Sequence, residues 1–354
     1  MPLANREQVA GFLVGGAVGD ALGLPYEGLS RQRQARLRRG RPLKHRLLFG
    51  RGMISDDTEH AAMTAQAWLA SQGSADTFGR SLAWRLRWWL LGVPAATGFA
   101  TLRSILKLWL GFSYRNSGVH SAGNGPAMRS GILGLLIDDP DEMRQWVSVC
   151  TKMTHTDPRA LQGALVIAHA ARIAYQQPQR DRAIAEMRRV VADHVHDDSL
   201  ARRLAIAMDA AATGAQPDVF LQQMDCPAGV SGFINDTVPA AVYCWLRYID
   251  NFTQGVTTAV ALGGDTDSVA ALVGSLLATH HGVSVIPQAW VRGIADWPRS
   301  IHWLQRLADR LATASTPHAA AGPLPLFWPM LPIRNLAFAG VVILHGFRRL
   351  SPPY

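Results

Sequence analysis

The chain has little cysteine: Cys150, Cys226 and Cys244 are its only three in 354 residues, far apart and odd in number. That excludes a disulfide-built scaffold and any cysteine-based zinc motif, and it predicts a reducing, cytoplasmic compartment. Charge is also scarce. Charged residues make up 17% of the chain and hydrophobic ones 48%, where a typical domain carries about a quarter charged. A disordered or collagen-like chain is therefore excluded, and a sizeable core is expected. The first residues, MPLANREQVA, lack the basic-then-apolar pattern of a secretion signal. An unbroken apolar run of bilayer length is missing too. Leu311 to Ile333 is uncharged, but Pro317, Pro323, Pro325, Pro329 and Pro332 interrupt it. The next run, Leu336 to Leu344, is nine residues long, against the ~20 a bilayer requires. No transmembrane helix is expected, only a hairpin packed on the body or a peripheral contact.

Acid is absent where base is concentrated. The formal net charge is +9, and the 22 residues from Ser30 to Arg51 contain nine basic side chains (Arg31, Arg33, Arg36, Arg38, Arg39, Arg41, Lys44, Arg46, Arg51) and no acid. Beyond Asp309 lie Arg310, Arg334, Arg348 and Arg349, again with no acid. The remainder holds 22 basic residues against 26 acidic ones and is mildly acidic. The positive charge is thus a local feature, suited to an acidic protein partner or, through phosphates, to nucleic acid. No nucleic-acid-binding module accompanies it.

Alternating strand patterns with Asn-Gly or Asp-Gly turns are essentially absent, and apolar residues recur at helical spacing, so the fold class is all-α. Asn5 caps a first helix, Asp157 before Pro158 opens another, and Asp236 or Thr237 before Pro239 opens a third that runs to about Tyr248. Asp267 and Ser268 open a fourth, closed by Gly282. The small-residue stretch near 312–322 reads as a linker, giving a main domain over 1–312 and a Pro-rich extension over 313–354.

Two acidic clusters carry the chemistry: Ser55-Asp56-Asp57-Thr58-Glu59 and Gly263-Gly264-Asp265-Thr266-Asp267-Ser268. One carboxylate at a helix start is explained by capping. Several adjacent carboxylates repel one another, and with interleaved hydroxyls they suit hard divalent cations as well as they suit caps. Gly15 to Asp20 imitates a phosphate loop without its spacing or its lysine, and fits close helix packing better. Ser121-Ala122-Gly123-Asn124-Gly125 is either a plain turn or a loop whose amides cradle a diphosphate. His155, His194, His196, His280 and His281 are read as structural or solvated, with no metal assigned. The tryptophans between Trp84 and Trp89 are assigned to the core, with their arginines reaching outward.

Seven blocks occur in order: GFLVGGAVGDALGLPYEG, GMISDDTEHAAM, SAGNGPAMRSGILGLL, MTHTDPRALQGA, NDTVPAAVYCWL, LGGDTDSVAALVGSLL and IPQAW. Together, from about Arg6 to Ala312, they resemble the ADP-ribosylglycohydrolase family, to which the dinitrogenase reductase-activating glycohydrolase belongs. The resemblance implies a compact all-α domain, with a cleft for two Mg²⁺ or Mn²⁺ ions and hydrolysis of ADP-ribose from modified side chains or related conjugates. Carried over by motif, Ser55, Asp56, Asp57, Asp265, Asp267 and Ser268 match the metal ligands, and Asp267 takes the bridging position. Glu27 matches the glutamate beside the metals and would be the catalytic acid or base. Gly123, Asn124, Gly125 and His155 match the ADP-ribose-binding elements. The implied substrate is an ADP-ribosylated protein, arginine-linked by preference. The alternative is an immunity or interaction protein that blocks a toxin ADP-ribosyltransferase through residues 31–51.

Overall fold

A computed structural model describes residues 4–95, 97–314 and 322–348. The chain forms α1 (Arg6–Gly23), α2 (Arg31–Arg38), α3 (Asp56–Leu69), α4 (Ala75–Leu91), α5 (Phe99–Trp109) and α6 (Gly125–Ser130). It continues as α7 (Leu133–Leu136), α8 (Pro140–Lys152), α9 (Pro158–Tyr175), α10 (Arg180–His194), α11 (Asp198–Thr213) and α12 (Pro217–Gln223). The last six are α13 (Ile234–Arg247), α14 (Phe252–Ala261), α15 (Thr266–His281), α16 (Gln288–Gly293), α17 (Ile301–Thr313) and α18 (Met330–Arg348). Extended pairing among the described residues is limited to isolated bridges. The all-α expectation holds.

The caps explain most boundaries. Asn5 and Gln8 form a reciprocal capping box on α1, and Asp157 accepts from the Arg159 amide at the start of α9. Gly282, at φ +81°, ends α15. Two starts shift. Phe233, not Asp236 or Thr237, precedes α13, so Pro239 lies inside that helix. Helix α15 begins at Thr266, with Asp265 before it.

Helices α1 and α15 form the central pair, and α17 packs on α1. Their approach is set by glycine. A Cβ at Gly11, Gly15 or Gly19 would collide with backbone atoms of Ala278, Gly274 or Ala270. The fourth-residue spacing therefore lets two backbones touch, which confirms helix packing as the role of these glycines. Almost all of α1 and α15 is buried, so neither shows a polar face.

The C-terminal segment docks on this body. Leu324 exchanges two 2.7 Å hydrogen bonds with the Gln66 side chain, and the Trp303 indole donates to the Pro325 carbonyl at 2.9 Å. Residues 315–321, most of the expected linker, lie outside the described residues. Helix α18 is longer than the nine-residue run read from the sequence. Pro332 falls in its first turn, where proline is tolerated, and the charge of Arg334 is buried in ion pairs. Helix α18 has the length and hydropathy of a span, with mean hydropathy 1.5, as has the almost wholly buried α1. However, α18 rests on the protein through Arg334, Asn335 and Phe338.

The tryptophans also depart from expectation. Trp89 is buried, but Trp84 and Trp88 are 55% and 45% exposed while Arg85 and Arg87 are half-buried. Arg87 donates inward to the Leu108 carbonyl at 2.7 and 3.0 Å, and Arg85 to that of Gln66 at 3.4 Å. Backbone acceptors on the inner side hold the arginines and turn the indoles outward.

Candidate active site

Three loops meet at one point. The Gly28 amide donates to the Gly264 carbonyl (2.8 Å), the Gly264 amide to Leu29 (3.2 Å), and the Asp265 amide to Val230 (2.8 Å). Gly264 holds φ +80° with its α-carbon against Val230, a position a side chain could not share. These bonds draw Glu27 and the Asp265 loop to the start of α15. The first turn of α3 reaches the same point through Asp20 of α1. The Ser55 amide donates to both Asp20 oxygens (3.0 and 2.9 Å), and Thr58 donates through its amide (3.2 Å) and hydroxyl (2.5 Å).

The resulting cleft has a volume of about 730 Å³. Its wall includes Glu27, Asp56, Asp57, Asp265, Asp267 and Ser268 together with Gly123, Asn124, Gly125 and His155. Ten of the eleven expected site residues thus line one cavity. Ser55 does not line it. Its hydroxyl caps α3 by accepting from the Asp57 amide (3.3 Å) and donates to Asp57 Oδ2 (3.4 Å).

The carboxylates are strained electrostatically. Burial, then the charges of Asp20, Asp56 and Asp265, push the Asp57 carboxyl well above the usual range. Burial, then Asp20, Glu27 and Glu59, does the same to Asp56. Burial, then Glu27, Asp265, Asp57 and Asp20, does it to Asp267. The Ser268 hydroxyl donates to Asp57 Oδ2 at 3.1 Å, yet Asp57 Oδ1 is buried with no hydrogen-bond partner. An orphaned carboxylate oxygen among mutually repelling acids and a hydroxyl is a donor set that fits hard divalent cations.

Asp20 itself was missed in the sequence. Burial raises its carboxyl to about 6, against the pull of its Thr58 and Ser55 hydrogen bonds. The available signal was a lone acid within small apolar residues. Asn124 takes an unexpected part: its Nδ2 donates to Asp265 Oδ2 (2.7 Å) and to the Thr237 hydroxyl (3.1 Å). The glycine loop is less open to a diphosphate than its sequence suggests, because the Gly123 amide donates to Ser121 Oγ and the Asn124 amide to Gly232.

His155 lies beneath that loop. A Cβ on Gly123 or Gly125 would come 3.2 Å from its ring, so both glycines permit the approach. Burial and the Arg129 charge lower its imidazole to about 3, which keeps it neutral. Thr154 Oγ, itself bonded by the fully buried Arg129, lies 2.8 Å from His155 Nδ1. Residues 97–103 add a wall that the sequence did not announce. Phe99 is 73% exposed there, and the Arg103 guanidinium stacks over its ring.

Behind α3 lies a second buried set. Glu59 accepts from Arg299 (2.6 Å) and the Trp89 indole (2.6 Å), with Arg334 of α18 at 3.7 Å. Arg334 also donates to the Ile54 carbonyl (2.6 Å) and pairs with Asp296 (2.5 Å), which accepts from the Ile54 amide (3.1 Å). The tail thereby holds the residue before Ser55. None of the nine basic residues from Arg31 to Arg51 lines the cleft, and Arg31 pairs instead with Asp218.

The family model described as ADP-ribosylglycohydrolase matches residues 1–320. The ADP-ribosylarginine hydrolase Tri1 of Pseudomonas putida is 28% identical over 87% of this chain and 80% of its own length. The ADP-ribosyl-[dinitrogen reductase] glycohydrolase of Rhodospirillum rubrum is 24% identical over 81% of this chain and 90% of its own. A solved structure titled ADP-ribosylglycohydrolase-related protein complex superposes with a TM-score of 0.67, at 25% identity, over 88% of this chain and 99% of the other. The chain belongs to the ADP-ribosylglycohydrolase family.

Proposed function

We propose that the protein hydrolyses the glycosidic bond between ADP-ribose and an acceptor side chain, arginine by preference, using two divalent cations, Mg²⁺ or Mn²⁺. The convergence of Asp56, Asp57, Asp265, Asp267 and Ser268 on one cleft, with Asp57 Oδ1 buried and unpaired, carries this reading. The arginine preference is supported by the ADP-ribosylarginine hydrolase relative, whose similarity spans most of this chain.

Asp56, Asp57, Asp265, Asp267 and Ser268 would hold the ions, with Ser55 and Asn124 fixing Asp57 and Asp265 from outside. Bound there, the ions supply Lewis-acid stabilisation and orientation. The reaction breaks the bond at the anomeric carbon through an oxocarbenium-like state, adds water oxygen to that carbon and returns a proton to the leaving group. Glu27, at the exposed rim beside the acids, is the proton-transfer group. Neutral His155 can give or accept a hydrogen bond without adding charge. The exposed Phe99 ring offers a stacking face for the base, and Arg103 a cation for the diphosphate.

The test is release of free ADP-ribose from arginine-, serine- and acetyl-linked substrates with Mn²⁺. We expect Asp265→Ala and Asp267→Ala each to abolish turnover and Mn²⁺ binding. Full turnover with metal still bound, in either variant, overturns the assignment.

A further inference from the structure

Helix α18 is amphipathic in the wrong sense for a soluble surface. Its inner side buries the polar Arg334 and Asn335 together with Phe338. Its outer side shows Ile333, Leu336, Ile343, Leu344 and Phe347, each between 57% and 69% exposed, with Ala337 and Gly340 in the same stripe. The spacing of three, four and seven residues places them on one face. Contiguous exposed apolar surface of this kind marks an interaction site.

Two neighbouring features share the surface. At the N-terminal end, exposed Trp88 touches Trp328 (6.0 Å) and Trp109 (6.5 Å), and Trp84 lies 5.7 Å from Trp88. At the C-terminal end, Val341, Leu344 and Arg348 form a groove of about 770 Å³ with Phe49 and the basic segment. Arg36, Arg39, Arg41, Lys44 and Arg46 line that groove, and no carboxylate does. Phe49 is 98% exposed at the tip of a two-residue turn. Phe49 and Gly50 both hold positive φ (46° and 78°), while Leu48 and Arg51 exchange backbone hydrogen bonds. The left-handed backbone is unfavourable for phenylalanine, and here it holds the ring in solvent.

We propose that this surface docks on an anionic phospholipid bilayer, with α18 lying in the interface plane. An apolar helix face flanked by aromatic rings and cations, without acids, is the chemistry such a surface recognises. Tryptophan and phenylalanine sit at the headgroup level, and arginines meet lipid phosphates. The helix lies on the membrane and does not cross it, because Arg334 is committed to Asp296 and Glu59 inside the protein. A second copy of this chain is disfavoured, since a self-complementary contact would set the same cations against each other. Nucleic acid would satisfy the cations but leave the leucine, isoleucine and phenylalanine stripe in water.

The experiment is sedimentation of the full-length protein with vesicles of phosphatidylglycerol and phosphatidylcholine, compared with phosphatidylcholine alone. We expect about tenfold or more preference for the anionic vesicles, weakened by salt. The double variant Leu344→Glu, Phe347→Glu should lower binding about tenfold or more. Arg39→Gln with Arg41→Gln should lower the anionic preference about tenfold. All four side chains lie outside the cleft, so release of ADP-ribose from a soluble substrate and the thermal unfolding midpoint should not change. Three outcomes would overturn the proposal: no binding to anionic vesicles, binding by both double variants undiminished from that of the parent, or capture of duplex DNA or a second copy in place of vesicles.

Discussion

The cleft and the groove beside α18 are opposites built on one body. The cleft gathers carboxylates from the starts of α3 and α15, each crowding the next. The groove gathers cations from one short segment and a C-terminal helix, with no acid between Ser30 and Arg51 or within α18. The two share no lining residue. Net charge averages them into a single figure of +9 that describes neither. A like-charged cluster held together by the fold indicates what it awaits, and the two clusters await opposite things.

The difference can be tested on either side. Glu27→Gln should affect the cleft alone, lowering kcat by about 10²–10⁴-fold while leaving Mn²⁺ affinity and vesicle binding intact. Steady-state kinetics and metal titration on one preparation check this, and a fall below tenfold would remove Glu27 from proton transfer. Arg334→Met should affect both regions, since Arg334 ties α18 to the loop before Ser55. Loss of one partner from so buried a pair costs about 3–5 kcal/mol. Denaturant unfolding should show that loss, and reduced Mn²⁺ affinity should accompany it.

The smallest effect belongs to neither region. Burial lowers His169 to about 3 and His280 to about 4, below their unfolded value of about 6.5. The unfolded chain therefore takes up these protons first. The stability they contribute is complete above about pH 6.5 and is lost as pH falls toward 4 and then 3. Each contributes a slope of at most about 1.4 kcal/mol per pH unit. Comparing His169→Gln with the parent between pH 7 and 5 cancels the cleft carboxylates, and the variant should lose less stability on acidification.

Much of this was legible in the sequence where the determining interactions are local. Asn5 and Asp157 cap their helices through amides two or three residues away, so their meaning is written beside them. The acidic clusters stood out because like charges seldom lie adjacent without cause. Asp20 was illegible because its partners, Ser55 and Thr58, are 35 and 38 residues away. Residues 97–103 join the cleft only through tertiary packing. Trp84 and Trp88 misled because hydrophobicity indicates that a face exists, not which way it turns. Helix α18 was hidden by Pro332 and Arg334, which look like interruptions until Asp296 is placed beside the arginine.

The glycine seam between α1 and α15 has a consequence for the cleft. Helix α1 carries Asp20, which holds the first turn of α3, while α15 begins with the Thr266-Asp267-Ser268 turn. The Thr266 hydroxyl donates to the Gly23 carbonyl at 2.9 Å, and no side chain separates the two backbones where they touch. The gap between the two acid clusters is therefore gauged by main chain against main chain, like a fixed calliper. A single methyl group on the seam would be read at the far end as a change of jaw width.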